Sequence, residues 1–341
     1  MSNICFLFSY LRPMKIKFAI IGFGHIGRKH YNTILGNAEA EVVAICDPYL
    51  SEEIIDGFPV FKDIEQMLVS MPEIDVVNIC TPNGLHAEQS IICINHGKHV
   101  VVEKPMSLTK KEAENVIFHA LNKHVKIFCV MQNRYTANAQ FLKHLIVNNQ
   151  LGNIKEVVVN LFWNRDKRYY FSGEGLQHAW RGNANMDGGP LFTQFSHFVD
   201  LLYWLFGDLS ITSSHISNLS HDYVPDIEDN GIFTFQTAGN ASGSFRYSIN
   251  APITNVESSV LISGDEGAIK VSGQYLENID LYHSSNPIEN PFQPLDNTKT
   301  HSLVINNVID VIRTGVDIST NAMEGMKVVD IIEEVYKMAR K

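Results

Sequence analysis

Lys17-Phe18-Ala19-Ile20-Ile21-Gly22-Phe23-Gly24-His25-Ile26-Gly27 decides how the rest of the chain is read. A short apolar run suits a strand covered on both faces, and it leads directly into Gly-x-Gly-x-x-Gly. Each glycine answers a need: Gly22 permits the tight turn, Gly24 lets a pyrophosphate approach the backbone, and Gly27 lets the following helix pack on the strand. The free N–H groups and positive end of that helix favour phosphate, so Phe23, His25 and Ile26 join the glycines as cofactor-binding candidates. A second apolar stretch, 41–46, ends at Asp47, which lies 47 − 27 = 20 residues past the last glycine. That is the spacing of a carboxylate that meets the adenine-ribose hydroxyls. Asp47 repels a 2′-phosphate and Pro48-Tyr49-Leu50 offers no cation for one, so the cofactor expected is NAD. The alternative for Asp47 is a turn residue before Pro48.

Working outward, the pattern repeats. Strands are predicted over 17–21, 41–46, 76–80, 99–102 and 126–130, with helices over 26–35, 63–69, 85–96 and 110–122. Strand then helix, repeated, implies right-handed βαβ crossovers and a doubly wound parallel sheet. Beyond residue 132 a helix over 138–148 precedes strands at 155–164, 231–236, 242–249, 258–263, 268–272 and 279–283, with a hairpin turn at 264–267. Polar and apolar residues alternate along 242–249, the mark of an antiparallel sheet covered on one face. One apolar helix, 191–206, interrupts this half, and an amphipathic helix over 322–340 closes the chain. The expected organisation is a Rossmann α/β domain over 1–132, with 1–13 an N-terminal extension, and an α+β domain with a large, mainly antiparallel sheet over 133–341.

The 341 residues favour two domains over one. A hydrophobic content of 45% against 19% charged excludes a disordered chain. Net charge is 27 − 37 = −10, so the basic footprint that nucleic acid requires is missing. The apolar stretch 4–11 is too short to span a bilayer and lacks the marks of a signal peptide. The five cysteines form no Cys-x-x-Cys pair and read as reduced thiols of a cytoplasmic protein.

In open α/β sheets ligands bind beyond the carboxyl ends of the strands, which draws attention to two turns. One is Thr81-Pro82-Asn83, with His86 three residues further on; the other is Glu103-Lys104-Pro105. Lys104 has two readings: a rim salt bridge with Glu103, or a cation that stabilises alkoxide character on a substrate oxygen as hydride departs. On the helix over 191–206, Thr193, His197 and Asp200 are spaced i, i+4, i+7 and share a face. A polar stripe on an aromatic helix needs partners. Asp200 is the expected orienter of His197, whose imidazole takes or returns a proton near neutral pH; a core histidine capped by Asp200 is the plainer reading. Gln132 is added as a further pocket candidate, Asn133 on the cofactor side, and Arg134, Tyr135, Trp180 and Arg181 on the substrate side. The two arginines suit either a carboxylate or diphosphate, or a domain-interface salt bridge. The remaining histidines, among them His30 and His96, show no carboxylate at ligand spacing, so no metal is expected.

The glycine turn, Asp47, Thr81-Pro82-Asn83 with His86, and Glu103-Lys104-Pro105 together resemble the Gfo/Idh/MocA oxidoreductase family (glucose-fructose oxidoreductase, inositol dehydrogenase and relatives). The resemblance runs over almost the whole chain from Met14. It implies that Lys104 and the helical His197, followed three residues on by Asp200, are catalytic. It also implies a sugar-like substrate and a homodimer or homotetramer built through the C-terminal sheet. Two positions depart from the pattern: Thr193 stands where many sugar and inositol dehydrogenases carry Asp, and Phe195 where Gly is frequent. The segment looks more like members encoded with bacterial surface-polysaccharide genes, which act on sugars or nucleotide sugars. The resemblance leaves two other readings: a catalytically silent NAD-sensing regulator of the same fold, and an NAD-dependent glycosidase, for which no leaving-group acid is found.

Overall fold

The computed structural model describes residues 14–171, 180–294, 296 and 299–340; the predicted extension over 1–13 lies outside them. The first domain runs β1 (Ile16–Ile21), α1 (His25–Leu35), β2 (Ala40–Cys46), β3 (Ile54–Ile55), β4 (Phe58–Phe61), α2 (Ile64–Ser70), β5 (Val76–Ile79), α3 (His86–Asn95), β6 (His99–Val102), α4 (Lys110–Lys123) and β7 (Ile127–Cys129). The sheet order is β3-β4-β2-β1-β5-β6-β7, parallel throughout except for the β3–β4 hairpin. Numbered by chain order, the parallel strands read 3-2-1-4-5-6, the doubly wound dinucleotide-binding order, and the direction reverses between β1 and β5. Local chemistry supports the helices: Asp63 caps α2, and Thr109 with Glu112 forms a capping box on α4.

The second domain comprises α5 (Ala137–Val147), β8 (Ile154–Phe162), α6 (Lys167–Tyr170), α7 (Pro190–Thr193), α8 (Ser196–Phe206), β9 (Leu209–Ser217), β10 (Asn230–Thr237), β11 (Ser242–Ser248), β12 (Glu257–Gly264), β13 (Gly267–Ser272), β14 (Asn278–Ser284), α9 (Thr300–Thr314) and α10 (Ala322–Ala339). Its sheet is ordered β14-β13-β12-β8-β11-β10-β9, antiparallel except where β8 meets β11. Alternation aims Phe233, Phe235, Phe245 and Tyr247 into the core, while Ile232, Arg246 and Phe162 line a groove on the opposite face. No helix among the described residues is long and apolar enough to cross a membrane. Cys46, Cys80, Cys93 and Cys129 are free and buried.

Several features depart from the expectations, the β3–β4 hairpin and the short α6 among them. The predicted helix over 191–206 is two helices, α7 and α8, broken at Gln194 and Phe195. Strand β9 was not expected, because its serines and threonines hide a pattern in which only Leu209 and Ile211 are buried. Helix α9 was also missed, and it blurs the boundary at 132. Its Val304, Ile305, Val308, Ile309 and Val311 pack with Ile16, Phe18 and Ile20 of β1 in one core, so the chain returns to the first domain near its end.

Candidate active site

The cradle lies where the strand order reverses. Gly22 has φ +84, a conformation that favours glycine. A Cβ on Gly27 would lie 2.0 Å from the Gly22 carbonyl oxygen, whereas one on Gly24 would meet nothing within 4 Å. Gly27 therefore serves packing, and Gly24 leaves open space at the lip beside the exposed His25. Asp47 Oδ2 accepts the Phe23 N–H at 2.8 Å and Oδ1 accepts that of Tyr49 at 2.9 Å, which fixes the carboxylate beside the glycine turn. The groups present fit a dinucleotide: the open Gly24, the amides of α1 with Ile26 in its first turn, and an accepting carboxylate at the end of β2.

On the far side of the reversal, β5 ends at half-buried Thr81 and Pro82. Asn83 turns toward the second domain, and its Nδ2 donates to Asp187 O at 2.8 Å and to Thr193 Oγ1 at 2.9 Å. His86, expected to touch the cofactor, is instead 1% exposed. It lies between the carbonyls of Pro105 (2.6 Å) and Thr81 (2.8 Å), and burial lowers its pKa. Its work is to hold together the two turns that end β5 and β6. Glu103 is likewise turned inward, because His30 Nε2 lies 2.8 Å and His301 Nε2 3.6 Å from its Oε1. It forms no salt bridge with the Lys104 ammonium; its Oε2 accepts the Lys104 backbone N–H at 3.3 Å.

That contact corrects the reading of the histidines, since His30 and His96 both have carboxylates, Glu103 and Glu65. Partners 73 and 31 residues apart are invisible to local spacing. The His30, Glu103 and His301 ligand atoms lie within 4.8 Å of one another. The 2.8 Å contact is a hydrogen bond, which directs the His30 proton and the carboxylate lone pair at each other rather than at an ion.

Lys104 reaches across the domains: Nζ donates to Thr193 O at 2.6 Å. Thr193 ends α7, and His197 follows in the first turn of α8. The break between the helices thus sets the ammonium beside the imidazole. Burial lowers the Lys104 pKa, the Glu103 and Asp187 carboxylates raise it, and the Arg165 charge lowers it. Burial, and then the Lys104 charge, hold His197 well below the usual imidazole range, so it is neutral. The Gln132 amide nitrogen lies 3.1 Å from His197 Nε2, while Gln132 Oε1 and His197 Nδ1 are buried without partners among the described residues. Turning that amide by half a rotation lets Oε1 accept Nε2–H, and Nδ1 is then a free lone pair, as a base needs.

Asp200 does not orient His197. Its two oxygens accept Arg134 Nη2 (2.5 Å) and Nε (2.8 Å), and Arg134 Nη1 adds Glu324 Oε2 at 2.8 Å. Of the two readings of Arg134, a salt bridge is the one formed, with Asp200 and Glu324, both within 133–341. Tyr135 packs against the core that α9 shares with β1, and Asn133 is buried with Oδ1 unpartnered among the described residues. Arg181 stacks on Tyr169 and Trp180, at 4.3 and 5.4 Å from the ring centres, and its Nη1 donates to Tyr169 O at 2.7 Å.

Sequence reasoning missed Gln132 as the imidazole's partner, Asp187 and Arg165. Thr193 Oγ1 bonds Asp187 Oδ1 at 2.5 Å, so the carboxylate absent from position 193 is supplied from the turn before α7. Burial pushes the Asp187 carboxyl up. The Gly188-Gly189 pair beside Asp187 was the available signal.

Residues 16–131 match the family model described as "Oxidoreductase family, NAD-binding Rossmann fold", and residues 139–270 match "GFO/IDH/MocA C-terminal domain". The WlbA dehydrogenase from Bordetella pertussis, solved with NADH and UDP-GlcNAcA, is 30% identical with a TM-score of 0.88, over 96% of each chain. The scyllo-inositol 2-dehydrogenase (NADP(+)) IolW of Bacillus subtilis is 30% identical over 56% of this chain and 52% of its own length. Glucose-6-phosphate 3-dehydrogenase of the same species is 29% identical over 58% and 56%. The chain thus spans about half the length of these two curated relatives.

Proposed function

The chain belongs to the Gfo/Idh/MocA oxidoreductase family, and from that footing we propose that it transfers hydride between a secondary alcohol of a sugar or nucleotide sugar and NAD. The observation that carries the reading is that the Lys104 ammonium crosses to the Thr193 carbonyl, four residues before His197, and its charge acts on the His197 imidazole. NAD bound along the glycine turn supplies the hydride acceptor. A substrate oxygen that replaces the Thr193 carbonyl as the acceptor from Lys104 Nζ is polarised as its negative charge grows. The neutral His197 takes the hydroxyl proton, with Gln132 holding the ring, and the same groups serve the reverse reduction.

NAD rather than NADP follows from Asp47, fixed on the Phe23 amide where a 2′-phosphate would be repelled. The outer face of the second sheet, with Ile232 43% and Val256 65% exposed, supports self-association through that face.

The test is a panel of free sugars and UDP- or GDP-sugars with NAD or NADP, read by absorbance of the reduced cofactor. At least one sugar should reduce NAD, and Lys104→Ala should abolish that turnover while leaving NAD affinity within a few-fold. NAD binding with no sugar oxidised would overturn the dehydrogenase reading and favour a sensor.

A further inference from the structure

Arg165 lies just past β8 in the second domain, and its charge acts on Lys104. Nε donates to Gln194 Oε1 at 2.8 Å, and Gln194 directly follows the residue whose carbonyl holds Lys104. Nη1 donates to Asn164 O at 2.6 Å and to Asn255 Oδ1 at 3.3 Å. All three acceptors are neutral. Nη2 takes part in none of the hydrogen bonds among the described residues, and none of their carboxylates pairs with Arg165.

The contrast with Arg134 is instructive. That guanidinium is buried on Asp200 and Glu324 and has nothing left to offer a ligand. Arg165 is half-buried and lies over the Trp163 and Tyr169 rings, at 5.0 and 5.5 Å from their centres. The rings fix the plane of its fork. The carboxylates that act on Lys104 are committed elsewhere, Glu103 to His30 and Asp187 to Thr193 and the Gly182 amide. Burial lowers the Arg165 pKa. A partly desolvated guanidinium without a counter-charge, kept beside a second cation, is costly unless an anion completes it.

We infer that Arg165 is the subsite for an oxyanion carried on the sugar ring of the substrate, a carboxylate or a phosphoryl group near the hydroxyl that faces Lys104. The inference rests on the proposed dehydrogenase reading and narrows its substrates to acidic sugars, free or nucleotide-linked. A planar fork meets a carboxylate or phosphoryl group through two parallel N–H bonds, which a lysine ammonium cannot reproduce.

The experiment is calorimetric titration of the NAD-loaded protein with two matched pairs: UDP-glucuronate against UDP-glucose, and glucose 6-phosphate against glucose. The wild type should bind the acidic member of one pair at least about tenfold more tightly, a margin within reach of one charge-assisted contact. The pair that shows the preference identifies the oxyanion. Arg165→Ala and Arg165→Gln should erase it, and Arg165→Lys should restore only part, all with unchanged NAD affinity. Gln keeps a donor for Gln194, so it guards against a folding artefact of the alanine variant. No acidic preference in the wild type, or equal weakening of both members of a pair, would overturn the inference. Binding is read independently of turnover, so a tight acidic ligand that reduces no NAD counts against the dehydrogenase reading alone. Oxidation of neutral sugars that Arg165→Ala slows as much as that of acidic ones counts against the subsite alone.

Discussion

Asp200 and His197 are three residues apart on one helix, yet the carboxylate serves a cation from another part of the chain. Arg134 and Asp200 are 4% and 1% exposed at their side chains and doubly bonded, so neither can lose the other cheaply. Removing one partner of such a buried pair costs about 3–5 kcal/mol because the remaining charge is stranded. Arg134→Ala should therefore lower the urea midpoint sharply, and Asp200→Leu introduced on top of it should recover part of the loss. A small effect of Arg134→Ala would show that water reaches Asp200. The neighbouring histidine invites a titration. Burial and the Lys104 charge depress its pKa, so the unprotonated, base-competent form persists as pH falls below the ordinary 6.5. The acid limb of kcat/KM for alcohol oxidation should lie below that value. In Lys104→Met, where turnover is lost, the His197 pKa followed by NMR should rise because one of its two leading depressants is gone. A value unmoved by the substitution would mean that the ammonium and imidazole do not sense each other.

The elements that position these groups differ in how openly the sequence declares them. Strands β1, β2, β5 and β6 are nearly continuous apolar runs bounded by polar turns, and the glycine turn and Glu103-Lys104 follow directly from them, so the cradle and the lysine were legible. The first turn makes a test at its own scale. In Gly24→Ala the added methyl meets nothing, so thermal stability should stay within about 1 kcal/mol of wild type while NAD affinity falls as the methyl occupies the pyrophosphate approach. In Gly27→Ala the methyl collides with the Gly22 carbonyl, and both stability and affinity should fall. Equal stability losses in calorimetry would refute this division of labour. Helix α9 was less open, although Val304, Ile305, Val308 and Ile309 recur at helical spacing; polar residues dominate the approach to it, and no element was assigned between 284 and 321. The break between α7 and α8 carries no Gly or Pro at its centre. The whole run reads as one apolar helix, and only packing reveals that Thr193 ends a turn whose carbonyl is left for Lys104. Arg165 and Asp187 are single residues in loops, and nothing local marks what they face.

At the scale of the whole molecule, the wall behind the site is tied to the rest of the second domain through one carboxyl. Glu228, in the connection between β9 and β10, accepts the Tyr247 hydroxyl of β11 at 3.0 Å and the Tyr336 hydroxyl of α10 at 2.7 Å. A Cβ on Gly189, just before α7, would lie 2.9 Å from Glu228 Oε2. Burial pushes the Glu228 pKa up from 4.5 to about 7, against the pull of the two tyrosine hydrogen bonds. The unfolded chain releases this proton near 4.5 and the folded one near 7, so between those values the folded state binds more protons. Its contribution to stability is therefore complete below pH 4.5 and declines as pH rises through 7, by about 3 kcal/mol if the whole difference is expressed. Glu228→Gln keeps an oxygen for both hydroxyls and has no proton to lose. Its stability should thus fall less than that of the wild type between pH 5 and pH 8, measured by urea unfolding at each pH. Parallel profiles for the two proteins would place the ionisation of Glu228 outside this window and remove it as the link between α10, β11 and the turn that carries Asp187.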